Sequence, residues 1–169
     1  MHFFKIVLFS IFSIALLSPV SAQHLEQGLL EELRQKLGTA FKDDTVCNQL
    51  FKKVKDQKYT SPVLMAYIGG VWIAQSRHVG LFSKMEHFNK GTEILDEAIR
   101  ANPEDVETRF LRMTVQINAP GFLGYNDRLE EDKAYVLKNY KQTLPVLRAK
   151  ILTFIKESDA FSKEEKAIL

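Results

Sequence analysis

From Leu25 to the end of the chain, apolar residues return every three or four positions. Nowhere do they settle into the period-two alternation that, bounded by hairpin turns, marks a half-buried strand. A chain with that spacing buries its apolar side chains as helix faces laid on one another, so the expected fold is all-α. Its architecture is expected to be a single-domain antiparallel bundle of about seven helices. The material for a core is present, with 46% hydrophobic residues including 12 Phe and 1 Trp among 169 residues. With 1 Cys there is no internal disulfide, and stability has to come from packing.

The first 22 residues have a different character. A short start carrying Lys5 leads into an apolar run over residues 6–17 and ends in Pro19-Val20-Ser21-Ala22. That order is the pattern of a secretory signal peptide. The run is about 12 residues, short of the roughly 20 that a membrane-spanning helix needs, and small side chains precede Gln23. Cleavage after Ala22 is expected, leaving residues 23–169 as an exported helical domain with no stable membrane span. Periplasm or cell envelope is the expected location, with release from the cell as the extension of the same route. A formal net charge of +2, from 23 Lys and Arg against 21 Asp and Glu, offers no long-range field for nucleic acid.

Helix signals follow in order. Leu29, Leu30, Leu33 and Leu37 form the face of a first helix that is expected to stop near Gly38. Asp43 and Asp44 open a second, from about 44 to 55, whose apolar face includes Cys47, Leu50, Phe51 and Val54. Ser61 as N-cap and Pro62 at the first helical position start a third. Its run from Val63 to Ala74 holds only apolar residues and glycine, so it is expected to be central. Ala66, Gly70 and Ala74 form a smooth strip there, and Gly70 is expected to mark a close helix crossing. Ser83-Lys84-Met85-Glu86 reads as the capping box of a fourth helix bearing Phe88, Gly91, Leu95 and Ala98 on one face. Pro103, Glu104 and Asp105 begin a fifth with Val106, Phe110, Met113 and Ile117. A sixth is expected from about Asp127, and a seventh with Leu144, Leu147, Ile151 and Phe154 opens at Pro145. Ser162-Lys163-Glu164-Glu165 is a capping box for a short tail.

Between residues 85 and 117, a helix, an Asn-Pro turn and a second helix place Gly91, Leu95, Ala98 and Pro103 at the small, apolar, Ala and closing-Pro positions of a tetratricopeptide unit. This stretch resembles a degenerate tetratricopeptide repeat, although no second unit recurs at a fixed period. Arg109-Phe110-Leu111-Arg112-Met113, Phe122-Leu123-Gly124-Tyr125-Asn126 and Glu131-Asp132-Lys133 are also similar to a family of uncharacterised exported bacterial helical proteins, over roughly residues 61–140. The resemblance implies tetratricopeptide-like helix pairs in the cell envelope and transfers no activity.

Motifs for chemistry are scarce. There is no phosphate-binding glycine loop, no dinucleotide fingerprint, no nucleophile elbow and no H-E-x-x-H. Hence no catalytic residue, cofactor or metal ligand is assigned. His78 and His87 are nine apart, which is not helical zinc spacing, and with Glu86 they meet only if the turn folds back. Cys47 reads as a buried small hydrophobe, with a reactive thiol as the alternative. Lys52, Lys53, Lys55 and Lys58, with Phe51 and Tyr59 interleaved, read as a solvated face, with an anionic membrane surface as second reading. Asp127, Glu130, Glu131 and Asp132 read as a solvated capping face at a helix start. Arg109, Arg112 and Gln116 share one flank of the fifth helix and are expected to pair with Glu130 or Glu131, or to receive a carboxylate.

The 120–126 loop carries Phe122, Leu123 and Tyr125 between helices. Phe122 and Leu123 are expected to close the end of the bundle and Tyr125 to stand at the surface as an anchor. Phe122, Tyr125, Arg109 and Arg112 are therefore the candidate binding residues. The function that follows is a non-catalytic exported helical module binding a protein or peptide partner in the bacterial envelope. The alternative is a small-ligand binder or enzyme using the Arg109/Arg112 and Glu130/Glu131 region. N-terminal sequencing of the protein from its own cells is expected to begin at Gln23, and a cytoplasmic chain that keeps Met1 overturns export.

Overall fold

The computed structural model describes the backbone of residues 19–169 and the side chains of residues 23–169. The expected export segment, residues 1–22, lies outside the described side chains, although its last residues already belong to a helix. The chain is all-α. Among the described residues the helices are α1 (Pro19–Ala40), α2 (Asp44–Val54), α3 (Pro62–Ser76), α4 (Leu81–Ala101), α5 (Val106–Asn118), α6 (Leu129–Asn139), α7 (Pro145–Glu157) and α8 (Lys163–Ala167). The eighth is the capping-box tail. Ser162 Oγ accepts from the Glu165 amide at 3.1 Å, and Glu165 Oε2 accepts from the Ser162 amide at 2.7 Å.

Local chemistry accounts for most helix starts. Asp43 Oδ1 accepts from the Val46 amide at 3.0 Å, and Ser61 caps α3 with Pro62 in its first turn. Four boundaries differ from expectation. Helix α1 runs through Gly38 to Ala40, because Leu37 and Ala40 are buried and packing extends the helix past a residue that permits a stop. Helix α4 starts at Leu81 with Gly80 as its cap, so Ser83 lies inside the first turn and caps nothing. Asp105 is the N-cap of α5, accepting from the Thr108 amide at 2.7 Å and the Thr108 hydroxyl at 2.6 Å. Helix α6 starts at Leu129, two residues after the expected point, and Leu144 stands outside α7 as its exposed cap.

Two apolar cores form, with α5 as their shared wall. One gathers Leu33, Leu37, Cys47, Leu50, Leu64, Val71, Phe88 and Leu95 from α1 to α4, closed by Leu111 and Val115 of α5. The other gathers Val136, Tyr140, Ile151, Ile155 and Phe161 around Val106, Phe110 and Met113 of α5. The two sets on α5 lie on opposite flanks, which is why this helix buries nine of its 13 residues. Glu107 fixes α5 to the first core. Its carboxylate accepts from Arg34 Nε at 2.7 Å and Nη2 at 2.6 Å, and from the Tyr67 hydroxyl at 2.8 Å, which ties α1 and α3 to α5. These bonds hold the Arg34 guanidinium above its ordinary range. Burial, followed by the Glu107 charge, raises Tyr67 likewise.

The close crossing expected at Gly70 belongs to its neighbour. A Cβ on Gly69 would lie 2.6 Å from the Gly91 carbonyl oxygen, and one on Gly91 would lie 2.6 Å from the Gly69 carbonyl oxygen. Backbone therefore meets backbone where α3 crosses α4, and neither position has room for a side chain. Gly70 faces the mobile end of Leu37, whose Cδ2 would lie 2.8 Å from an added Cβ. The pair thus divides its duty between two neighbouring helices. Gly69→Ala is expected to lower stability by about 1–3 kcal/mol through forced separation of the helices. Gly70→Ala is expected to stay near the parent, since rotation of Leu37 and a helix-propensity gain of about 1 kcal/mol offset the crowding. Chemical denaturation of the two variants checks the order.

Candidate functional site

The four-residue acidic run at the start of α6 does not behave as one solvated face. Glu130 is exposed beside Lys133, whereas Asp132, one turn into the helix, is 0% exposed. An ionised carboxylate is stable at that depth only when its lone pairs are filled, and α5 fills them. Arg112 donates from Nε to Oδ2 at 2.7 Å and from Nη2 to Oδ1 at 2.9 Å, the two-pronged geometry of guanidinium on carboxylate. Arg109 Nη1 donates to Oδ1 at 3.0 Å, and Gln116 Nε2 donates to Oδ2 at 2.9 Å. Residues 109, 112 and 116 share one flank of a helix because they are three and four apart, so a single anion can collect all three.

The network continues outward. Arg109 also donates from Nη1 to Glu131 at 2.9 Å and from Nε to the Pro103 carbonyl at 2.7 Å, with its guanidinium 4.5 Å above the Tyr135 ring. Arg112 Nη1 reaches Asp96 of α4 at 3.3 Å. The Tyr125 hydroxyl donates to the same Asp96 oxygen at 2.9 Å. Gln116 Oε1 accepts from the Arg128 amide at 3.2 Å, pinning the chain just before α6. Burial works against the charge of Arg112, yet the bonds to Asp132 and Asp96 hold its guanidinium above the ordinary range. Burial and then the Asp96 charge push the Tyr125 hydroxyl up, and the hydrogen bond from Arg109 keeps Glu131 below the usual carboxylate range.

These bonds define the loop between α5 and α6, and they reverse the roles expected for its side chains. After a short 3-10 turn at Gly121–Leu123, Gly124 takes φ 63°, the left-handed conformation that glycine accepts without strain. Leu123 packs on the first core as expected. Tyr125, expected as a surface anchor, is half-buried, with its ring edge-on to Phe88 at 6.0 Å and its hydroxyl on Asp96. Phe122, expected as a plug, stands 85% exposed. The reason is that Asp96 offers the phenol a half-buried acceptor, whereas Phe122 sits on the outside of a turn whose direction Gly124 sets.

Three of the four candidate binding residues come together. Arg109, Arg112 and Tyr125 line an open depression of about 420 Å³, with Arg100, Arg128 and Glu131 at its edge, and Phe122 projects from the loop that bounds it. Glu130 belongs elsewhere, bound with Lys133 at 3.4 Å. Asp96 and the buried state of Asp132 were not anticipated from sequence. The signal available for Asp132 was the 109, 112, 116 spacing, which calls for one anion, but nothing local says which of four neighbouring acids turns inward.

The other candidates are occupied separately. His78 Nε2 lies 2.8 Å from the Ala40 carbonyl oxygen and His87 Nδ1 lies 2.9 Å from that of Ser83. Among the described residues no three His, Cys, Asp or Glu side chains gather as a metal site. Cys47 is fully buried, 3.3 Å from Gln75 Oε1, and burial, followed by the Asp44 charge, pushes its thiol up to about 11. A thiol that stays protonated is a poor nucleophile. Lys53 is bound to Glu32 at 2.7 Å. Comparison with protein-family models, with curated proteins and with solved structures finds no match to this chain.

Removing the central anion deprives Arg109 and Arg112 of the buried carboxylate they share. Asp132→Ala is expected to cost about 3–5 kcal/mol, the penalty for breaking a buried pair from one side. Tyr125→Phe, which deletes a hydroxyl and leaves the ring, is expected to cost about 1 kcal/mol. Denaturant unfolding of both variants tests whether Asp132, rather than the loop tyrosine, holds the site.

Proposed function

We propose that this chain is a non-catalytic, exported helical module that binds a protein or peptide partner in the bacterial envelope, with the α5–α6 loop as its docking element. The observation that carries the reading is Phe122, 85% exposed on a loop held just after it by Leu123 against the first core and by Tyr125 on Asp96. A large aromatic side chain presented from a preordered loop binds without the cost of ordering that loop. The depression beside it has Arg100, Asp127, Arg128 and Glu131 within its lining, a polar rim of both charges suited to a peptide surface.

The helix pairing supports the tetratricopeptide likeness. The repeat pattern asks for a Leu-Gly pair with an aromatic three residues after the Gly in its first helix, then a small residue and an apolar one four further on in its second. Gly91 and Leu95 of α4 fit the second part, whereas α3 offers Ile68-Gly69 and Trp72 away from the expected offsets and Met65 in place of the leading Trp, with Gly69 and Gly91 at closest approach. This reading takes α3 and α4 as one degenerate unit. Its likeness to exported bacterial helical proteins and its envelope location rest on the same footing as the expected signal segment.

A second reading, a small-ligand site at Arg109 and Arg112, is favoured by their place in the lining of the depression. Against it, both guanidiniums are already engaged by Asp132, and a carboxylate held low by Arg109, as Glu131 is, makes a weak general acid. The test is capture from an envelope fraction by the parent and by Phe122→Ser. Folding is expected to be unchanged in the variant, and capture to fall at least tenfold, the scale of an interface anchor. Equal capture by both removes the loop as the docking element.

A further inference from the structure

Helix α1 is held to the body of the molecule from Glu26 onward. The Glu26 carboxylate accepts from the Thr60 amide at 3.5 Å, Leu29 and Leu30 pack on the first core, and Leu33 has no exposure. The turn before that point is open. Gln23, His24 and Leu25 are all exposed, Leu25 at 71%. Gln23 also lines an open depression of about 660 Å³ between α1 and the start of α3, so that solvent and a modifying enzyme both reach it. Cleavage after Ala22, the expected end of the export segment, falls inside α1 (Pro19–Ala40) and makes Gln23 the first residue both of the chain and of this helix.

We infer that Gln23 of the processed chain is a modification site, closed on its own α-amine as an N-terminal pyroglutamyl lactam. The chemistry is complete within one residue. The neutral α-amine attacks Cδ, the N–Cδ bond forms as the Cδ–Nε2 bond breaks, and one amine proton leaves with Nε2 as ammonia. No oxidant, reductant or second substrate enters. The place in the fold favours the reaction. An α-amine ordinarily titrates at about 7.7–8.0, so part of it is neutral near pH 7, and the positive end of a helix disfavours its ammonium further. Glu26, the acid one turn on, is directed to the Thr60 amide. Exposure leaves the Gln23 side chain room to swing onto the amine. The product puts no charge among the unpaired amides of the first turn. It also leaves no free amine for an aminopeptidase, which would otherwise meet three exposed residues, 23–25, before the anchored part of α1. The lactam rests on the proposed export and on cleavage after Ala22, and goes beyond them by assigning the chemical state of the new terminus.

Intact mass and tandem mass sequencing of the protein isolated from its own cells read the two questions separately. The expected chain begins at residue 23 and is lighter by one ammonia than the form with a free Gln23 amine. A chain that begins at residue 23 with its full mass overturns the lactam and leaves export standing. A chain that keeps Met1, or begins at any other residue, overturns the cleavage site and the lactam with it. Precursor cut by signal peptidase just before the same handling is expected to retain its ammonia; equal loss there assigns the lactam to handling and overturns its presence in the cell. Stepwise Edman degradation of the isolated chain is expected to be blocked, and to read from His24 once a pyroglutamyl peptidase has removed the first residue. Gln23→Ala, exported in the same way, is expected to be open to degradation without that treatment and to lose residues to an aminopeptidase that leaves the parent intact. A block that persists in this variant lies outside the Gln23 amide and overturns the inference.

Discussion

A carboxylate with no exposure cannot remain ionised in a protein unless the surrounding chain supplies donors for both oxygens. Asp132 is in that position, and much of the second half of this molecule is arranged by the donors it receives. Arg109, Arg112 and Gln116 all turn towards it from α5, which fixes the rotation of α5 against α6. Two of these three, Arg112 and Gln116, have hydrogen-bonding capacity left over, which reaches Asp96 in α4 and the Arg128 amide before α6. One buried charge thereby connects three helices and a loop. Replacing such a network with apolar side chains often leaves stability intact. What apolar packing does not reproduce is direction, because guanidinium and amide bonds fix which way the loop leaves α5.

A comparable arrangement ties the first half to the second. Glu107, two residues before the first of the Asp132 donors, receives Arg34 from α1 and Tyr67 from α3. Helix α5 is thus held by ion pairs that differ in polarity. It offers an anion to α1 and cations to α6, while its apolar flanks close one core on each side. That placement explains why a helix of 13 residues buries both Glu107 and Arg112. The α3–α4 crossing is the apolar counterpart. There the constraint is contact between backbones at Gly69 and Gly91, which excludes side chains altogether and brings two helices closer than leucine or isoleucine would permit.

The outer features of the molecule follow from these fixed points. Because Asp96 draws the Tyr125 hydroxyl inward, the loop turns so that Phe122 faces solvent. Because α5 is shorter than α4, the first turns of α4 extend past the cover that α5 gives, and their apolar side chains remain open. Both exposed surfaces are consequences of length and of hydrogen-bond direction.

Helical type was legible in the sequence because it depends on spacing alone. Apolar residues three and four apart make a helix face whatever lies opposite, and Asp43, Ser61, Pro62 and the Ser162–Glu165 pair close their helix ends through contacts a few residues away. The face of α4 with Phe88, Gly91, Leu95 and Ala98 was legible for the same reason. Boundaries that hang on packing were not, as Gly38 illustrates, where the burial of Leu37 and Ala40 overrides a local rule. The site was half legible. Arg109, Arg112 and Gln116 could be placed on one flank, but the choice of Asp132 over Glu130 and Glu131 depends on which turn of α6 faces α5. Likewise the chemistry of Gly69 and Gly70, or of Phe122 and Tyr125, is nearly the same along the chain. Only the approach of a second helix or a distant Asp96 separates one from the other, because burial and hydrogen-bond direction are properties of neighbours that sequence order does not bring together.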